Sequence, residues 1–224
     1  MEQIQKALEC NRCAYERIRT TAAAGMTEQA VWEEILSAWE EAAGEPVREH
    51  VYDLVSGERA AQIGGPATDR VLQKGDCLIA DLLPKYRDGW CDTTRTFFIG
   101  EPDEEVRKAY GVLLEAIRVG EACLKPGVTG GEIFAAVDAF LKEKGYPGLP
   151  HHAGHAVGKT EQDDPDFLAG VDQPLCAGMV VTLEPGIYLE GKNGLRVENN
   201  YLITETGAEN LFSYPEELEY FIIG

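Results

Sequence analysis

Leu78-Ile79-Ala80-Asp81 and Trp90-Cys91-Asp92-Thr93-Thr94-Arg95-Thr96, which set two aspartates eleven positions apart, are the stretch on which the fold turns. An apolar run of strand character delivers Asp81, and a turn containing Pro84, Asp88 and Gly89 reverses the chain. A β-prone run from Thr93 to Ile99 then carries Asp92 away. This reads as a hairpin bearing two carboxylates close enough to share a ligand. An aspartate that closes an apolar strand is costly to bury unless a cation or hydrogen-bond donors meet it. Two explanations stand open at this point. Either Asp81 caps the turn and Asp92 pairs with Arg95, or both aspartates act with His155, Glu184 and Glu198.

Outward from the hairpin, the pattern from Pro46 to Asp92 is one of short extended runs broken by Gly57, Gly64, Gly65 and Pro66, with Lys74-Gly75-Asp76 as a turn. Before it, Ile4, Leu8, Tyr15 and Ile18 recur at helical spacing and predict a helix running to about Ala24. A second helix starts at Thr27, buries Val31, Trp32, Ile35, Leu36 and Trp39, and finishes near Gly44. Helical character returns at Pro102, a favoured first-turn residue, with Val106, Tyr110, Leu113, Leu114, Ile117 and Val119 inward.

Gly25-Met26-Thr27 followed by Val31, Trp32, Ile35 and Trp39 is echoed 102 positions later by Gly127-Val128-Thr129 followed by Ile133, Phe134, Val137 and Leu141. A period that long is no solenoid, and it predicts two halves of one α+β domain, each a helix pair followed by strands. The same offset from Asp81 lands beside Glu184, which ends its own apolar run Met179-Val180-Val181-Thr182-Leu183. Glu198 follows after a turn containing Gly191, Asn193 and Gly194. A pseudo-twofold arrangement would bring the four carboxylates together.

Four carboxylates in one pocket repel one another and resist ionisation unless cations lie among them. Two divalent ions with bridging carboxylates resolve the repulsion, and a water between them becomes a hydroxide nucleophile near neutral pH. His155 sits in His151-His152-Ala153-Gly154-His155, a run holding three of the four histidines of the chain. One imidazole with four carboxylates suits Mn²⁺, Fe²⁺, Co²⁺ or Zn²⁺. Taken alone, such a histidine is more often a hydrogen-bonded structural residue than a ligand.

The chain of 224 residues is long enough to bury a core without disulfides. Its 39 acidic against 20 basic residues argue against nucleic acid or an anionic membrane surface as partner. No apolar run approaches the length that spans a bilayer, and the N-terminus has no apolar export core. Six cysteines with no export signal read as free thiols and point to a cytoplasmic protein. Cys10-Asn11-Arg12-Cys13 lies in a helical pattern without a second cysteine pair, so it is assigned to helix core and surface.

These residues resemble the pita-bread metallopeptidases, which include methionine aminopeptidases, Xaa-Pro aminopeptidases and prolidases. The resemblance runs over the whole chain and is nearest to the Xaa-Pro branch through Asp92-Thr93-Thr94-Arg95-Thr96, His151 four before His155, Leu183-Glu184-Pro185-Gly186-Ile187-Tyr188 and Leu195-Arg196-Val197-Glu198-Asn199. It implies a single pita-bread catalytic domain over residues 1–224, with two pseudo-symmetric halves around a central antiparallel sheet. It further implies Asp81 on one metal, Asp92 and Glu198 bridging both, and His155 and Glu184 on the other. Glu184 resembles the general base, and His151 a substrate-side histidine. Arg196 resembles an arginine that supports the site; an ion pair with Asp92 or another acid is the alternative.

Two positions depart from the family pattern, since Gly64 and Gln162 stand where histidines that contact substrate are usual. The implied function is a dinuclear metal-dependent hydrolase in which a metal-bound hydroxide attacks the amide carbonyl of a short peptide or small amide. The departures leave open a relative that acts on a non-peptide small molecule, and a non-catalytic binding module on the same fold is a third reading. A homodimer is compatible with the sequence. The first helix begins almost at Met1, so the N-terminal domain of many Xaa-Pro enzymes is not expected.

Overall fold

The computed structural model describes residues 1–224. Four helices, α1 (Glu2–Thr21), α2 (Glu28–Ala43), α3 (Glu104–Glu121) and α4 (Gly130–Glu143), pack against the strands. In the first half these are β1 (His50–Ser56), β2 (Cys77–Tyr86), β3 (Gly89–Trp90) and β4 (Thr93–Ile99). The second half contributes β5 (His155–Ala156), β6 (Asp163–Asp166), β7 (Val180–Leu183), β8 (Gly186–Leu189), β9 (Asn193–Arg196), β10 (Asn199–Ile203) and β11 (Ala208–Asn210), and β12 (Ile222–Ile223) closes the chain.

The helix ends follow from local chemistry. The Thr27 hydroxyl accepts from the N–H of Ala30 at 3.1 Å and starts α2, and Gly44 ends it in the left-handed region at φ 74°. Thr129 and Glu132 form a reciprocal capping box at the start of α4. Helix α1 stops earlier than its periodicity predicts, because the chain turns extended at Ala22. Helix α3 starts two residues after Pro102, at Glu104, where the Asp103 carboxylate accepts from the N–H of Val106.

The internal repeat is present in three dimensions. Helices α1 and α2 pair with the antiparallel run β1-β2-β4, and α3 and α4 pair with β5-β7-β10. Corresponding loop hydrogen bonds recur, with Gly25 N–H to Leu72 O and Gly127 N–H to Leu175 O both at 2.9 Å. Two sheets are formed, of order β1-β2-β4-β12 and β11-β10-β7-β5-β6, and β8-β9 make a separate ribbon. The sheets meet at a single antiparallel bridge between Thr94 and Glu198, where the Glu198 N–H donates to Thr94 O at 3.1 Å. Apolar side chains from all four helices and both sheets form one continuous core.

The hairpin itself differs from the sequence reading. Strand β2 does not end at Asp81 but runs on to Tyr86, so Asp81 lies in mid-strand between Asp53 of β1 and Thr94 of β4. Pro84 belongs to the strand and not to the turn: the β4 ladder stops at Leu82, and Pro84 faces His50 at the last β1 position, where a missing N–H breaks no interior ladder bond.

Candidate metal centre

Each half delivers its acids where its strands approach the seam. Asp81 projects from the middle of β2, and Asp92 lies in the break between β3 and β4. The Asn200 side chain clamps the Asp92 backbone, donating to its carbonyl at 2.7 Å and accepting from its N–H at 3.2 Å. Glu184 follows directly on β7, and Glu198 occupies the residue pair between β9 and β10 that bridges to Thr94. His155 opens β5, where its backbone N–H donates to the Thr182 hydroxyl at 3.1 Å.

All five residues are buried; Asp81, Asp92, His155 and Glu184 line one cavity, and Glu198 lies beside Asp92 and His155. His155 Nδ1 lies 2.9 Å from the carbonyl of Ala156, which accepts, and this contact turns Nε2 toward the acids. That Nε2 is 3.3 Å from Asp92 Oδ2 and 3.5 Å from Glu184 Oε1. One ligand atom from each of Asp92, His155 and Glu198 lies within 4.8 Å of the other two, and the same holds for His151, His152 and Glu184. The Thr94 hydroxyl donates to Glu198 Oε2 at 2.8 Å, and the Thr182 hydroxyl donates to Glu184 Oε1 at 3.2 Å.

Three carboxylate oxygens in this cluster, Asp81 Oδ1, Asp92 Oδ1 and Glu198 Oε1, are buried with no hydrogen-bond partner. Buried polar atoms are ordinarily satisfied, and an orphaned carboxylate oxygen is among the costliest exceptions. Burial and then the neighbouring carboxylates Glu198 and Asp81 push the Asp92 carboxyl well above the usual range. Burial, followed by Glu184 and Asp81, does the same to Glu198. Asp81 is also raised by burial, with Arg196 opposing. Glu184 goes the other way: burial would raise it, but the His152 hydrogen bond and the surrounding imidazoles bring it to about 2. A hard or borderline divalent cation fits this donor set, because it would meet the orphaned oxygens and offset the repulsion that raises the carboxyl groups above their usual range.

Arg196 reaches the cluster from β9, with Nη2 2.6 Å from Asp81 Oδ2 and 3.2 Å from Asp53 Oδ2. Its acidic partner is therefore Asp81 and not Asp92. Arg95, the other proposed partner of Asp92, points away: its guanidinium donates to the carbonyls of Thr94, Glu198 and Pro215 and to Asn199 Oδ1. His151 lines the same cavity, with Nδ1 2.7 Å from the carbonyl of His152 and Nε2 2.7 Å from the Tyr188 hydroxyl. Burial lowers its pKa to about 4, so the ring is neutral and accepts from Tyr188.

Sequence reasoning missed two residues of this pocket. His152 Nε2 stands 3.3 Å from Glu184 Oε1, and that carboxylate raises the His152 pKa although burial alone would lower it. Asp53 faces the cavity beside Asp81, and its Oδ1 accepts from the N–H of Gly65 at 2.8 Å. Asp53 is placed there by the β1–β2 register, which sets it opposite Asp81. Gln162 lies at the cavity edge and donates to Asp166 Oδ1 at 2.7 Å. A Cβ on Gly64 would fall 2.1 Å from Asp53 Oδ2, so the Asp53 carboxylate fills the space that a side chain there needs.

Two pseudo-symmetric α+β halves that meet over a carboxylate–imidazole cluster define a protein of the pita-bread class. The profile of metallopeptidase family M24 matches residues 2–205, and the chain belongs to that family. It is similar to a probable dipeptidase PepE of Mycobacterium tuberculosis, 37% identical over 73% of this chain and 44% of that protein. The Xaa-Pro dipeptidase of Pyrococcus furiosus is 37% identical over 74% of this chain and 48% of its own length. Among solved structures, the prolidase from Pyrococcus furiosus superposes with a TM-score of 0.90 at 31% identity, covering 96% of this chain and 64% of that one. The Xaa-Pro dipeptidase from Bacillus anthracis superposes with a TM-score of 0.91, also at 31% identity, covering 99% and 62%. The chain thus spans about half the length of these curated relatives.

Proposed function

We propose that residues 1–224 act as one catalytic domain that binds two divalent cations, drawn from Mn²⁺, Co²⁺, Fe²⁺ and Zn²⁺, and hydrolyses an amide bond in a short peptide or similar small molecule. The observation that carries this reading is the convergence of four buried carboxylates and an imidazole, with three carboxylate oxygens left unpaired. Asp81 would hold one cation, Asp92 and Glu198 both, and His155 and Glu184 the other. When bound, such a pair supplies Lewis acidity and lowers the pKa of water between the ions.

The chain's own residues supply the rest. Glu184 is kept ionised by His152 at 3.3 Å and is thereby available to accept the proton of a water attacking a carbonyl, the histidine orienting the carboxylate while lowering its basicity. Arg196 fixes the Asp81 carboxylate through the 2.6 Å ion pair. Tyr188 and His151 form one wall through their 2.7 Å hydrogen bond. Glycine and glutamine at positions 64 and 162 favour a substrate other than the standard Xaa-Pro dipeptide, because neither can move a proton as imidazole does. A net charge of −19 disfavours nucleic acid and anionic membrane as partners. No helix is long and apolar enough to cross a membrane, and six free thiols accord with a reducing, cytoplasmic setting.

Metal analysis of purified protein, followed by cleavage assays on Xaa-Pro dipeptides and a wider amide panel with Mn²⁺ supplied, tests the reading. Stoichiometric divalent metal with turnover of an amide is expected. Protein that binds no divalent metal would be a binding module on this fold.

A further inference from the structure

The cavity above the acid cluster has a volume of about 220 Å³. Its one permanently charged cation is Arg196, and every N–H of that guanidinium is already committed. Nε donates to the Thr94 hydroxyl at 3.4 Å. Nη1 donates to the carbonyl of Ile63 and to the Tyr188 hydroxyl, both at 2.9 Å. Nη2 donates to Asp81 and Asp53 at 2.6 and 3.2 Å. An arginine has five N–H donors, so none remains for a ligand. Two of the imidazoles are engaged as well: both nitrogens of His151 have partners, and His155 sets Nδ1 on the Ala156 carbonyl and Nε2 toward Asp92 and Glu184, while His152 Nε2 faces Glu184.

Against this, the cavity wall presents an additional carboxylate. Asp53 occupies the volume that a side chain at Gly64 would need, with a third of its own side chain open to the cavity side. Glu161 adds another acid at the mouth. A substrate carboxylate set against the Asp53 wall, away from the metal-binding oxygens, would lose its hydration, meet no uncommitted guanidinium and stand beside like charge, which is a costly way to bury an ion. A neutral amide or a cationic amine meets no such penalty.

We infer that Asp53 is a specificity-determining residue which makes this site reject ligands with a free carboxylate next to the bond to be cleaved, and accept the corresponding amides or longer peptides. This deepens the amide-hydrolase reading and rests on it for the location of the substrate. The mechanism is exclusion: Asp53 holds Arg196 away from the ligand and adds a negative charge of its own.

The test is a titration calorimetry comparison on the metal-loaded protein, using an uncleavable hydroxyethylamine analogue of alanyl-proline as its free acid and as its C-terminal amide. The amide is expected to bind at least ~10-fold more tightly, a difference of about 1.4 kcal/mol. In Asp53→Asn, which keeps an acceptor for the Gly65 N–H and releases Arg196, the acid should gain and the ratio should fall to roughly 2-fold. Equal or tighter binding of the acid by the unmodified protein overturns the inference, as does an unchanged ratio in Asp53→Asn or failure of the amide to bind. Should that variant not fold, the ratio in the unmodified protein decides alone. Metal stoichiometry measured on the same sample separates the two readings: two bound ions without amide preference refute only the specificity assignment, and no bound metal refutes the hydrolase reading itself.

Discussion

Placing a methyl group on Gly64 tests the packing that distinguishes this pocket. In Gly64→Ala the new Cβ would stand 2.1 Å from Asp53 Oδ2 and 2.5 Å from its Cγ, so the carboxylate must swing out. That movement breaks the 2.8 Å hydrogen bond from the Gly65 N–H, a charge-assisted contact of roughly 1.5–3 kcal/mol. It also separates Asp53 from Arg196, now at 3.2 Å; with Asp53 a third exposed, that pair contributes about 1 kcal/mol at most. The lower backbone entropy of alanine in the unfolded chain offsets roughly 0.4–1 kcal/mol. The net expectation is a destabilisation of about 2 kcal/mol. Urea unfolding of EDTA-treated protein measures it, and a double-mutant cycle with Asp53→Ala isolates the cause, since removal of the carboxylate should abolish the cost of Gly64→Ala. If Gly64→Ala costs the same in both backgrounds, Asp53 is not what fills the space. The same geometry implies that Gly64→His alone cannot restore a histidine to this wall, and that Asp53 must be shortened with it.

Thr94→Val keeps the shape of the bridging residue but removes the donor to Glu198 Oε2 at 2.8 Å, and should weaken Mn²⁺ binding by roughly 10-fold in calorimetry; unchanged affinity would detach Glu198 from the ion. Metal at about 100 times its Kd should stabilise the fold by about 2.7 kcal/mol, so melting temperatures with Mn²⁺ and with EDTA should differ by roughly 5–10 °C. Coincident melts would count against a metal centre in this cluster. Far from the site, burial would raise the Glu16 carboxyl, but hydrogen bonds from Tyr220, Tyr214 and Arg19 hold it below its ordinary 4.5. A depressed folded value means that its contribution is present above pH 4.5 and lost as pH falls through the folded value, so Glu16→Gln should flatten the acid limb of stability against pH. An unaltered acid limb would show those hydrogen bonds to be inconsequential.

Much of the architecture was legible in the chain because it is encoded locally. Thr27 with Gly44, and Thr129 with Glu132, mark helix ends through caps that involve residues a few positions apart. The repeat is legible because two similar halves need similar amphipathic faces. Asp81, Asp92, His155, Glu184 and Glu198 could be picked out because an acid or imidazole beside an apolar strand is conspicuous in one dimension. Their burial together and the separation of the sheets into two, bridged by backbone at Thr94 and Glu198, were decided by the tertiary structure.

The strand reading failed where a long-range pairing overrode a local signal. Pro84 reads as a turn residue, yet β2 continues through it because β1 supplies a partner for the whole strand. Arg95, three positions on along β4, and Arg196, at the end of β9, both look by sequence like counter-ions for Asp92, and neither serves. Arg95 is drawn to carbonyls from the C-terminal segment, 120 positions away at Pro215, and Arg196 to Asp81, 115 positions away. What residues 1–224 determined by themselves were caps, periodicity and the kinds of ligand atom available, since those depend on neighbours in sequence. Which acid each arginine neutralises, and the filling of the Gly64 space by Asp53, depend on side chains brought together only by the cross-strand register and the meeting of the two halves, and short-range sequence pattern carries no record of either.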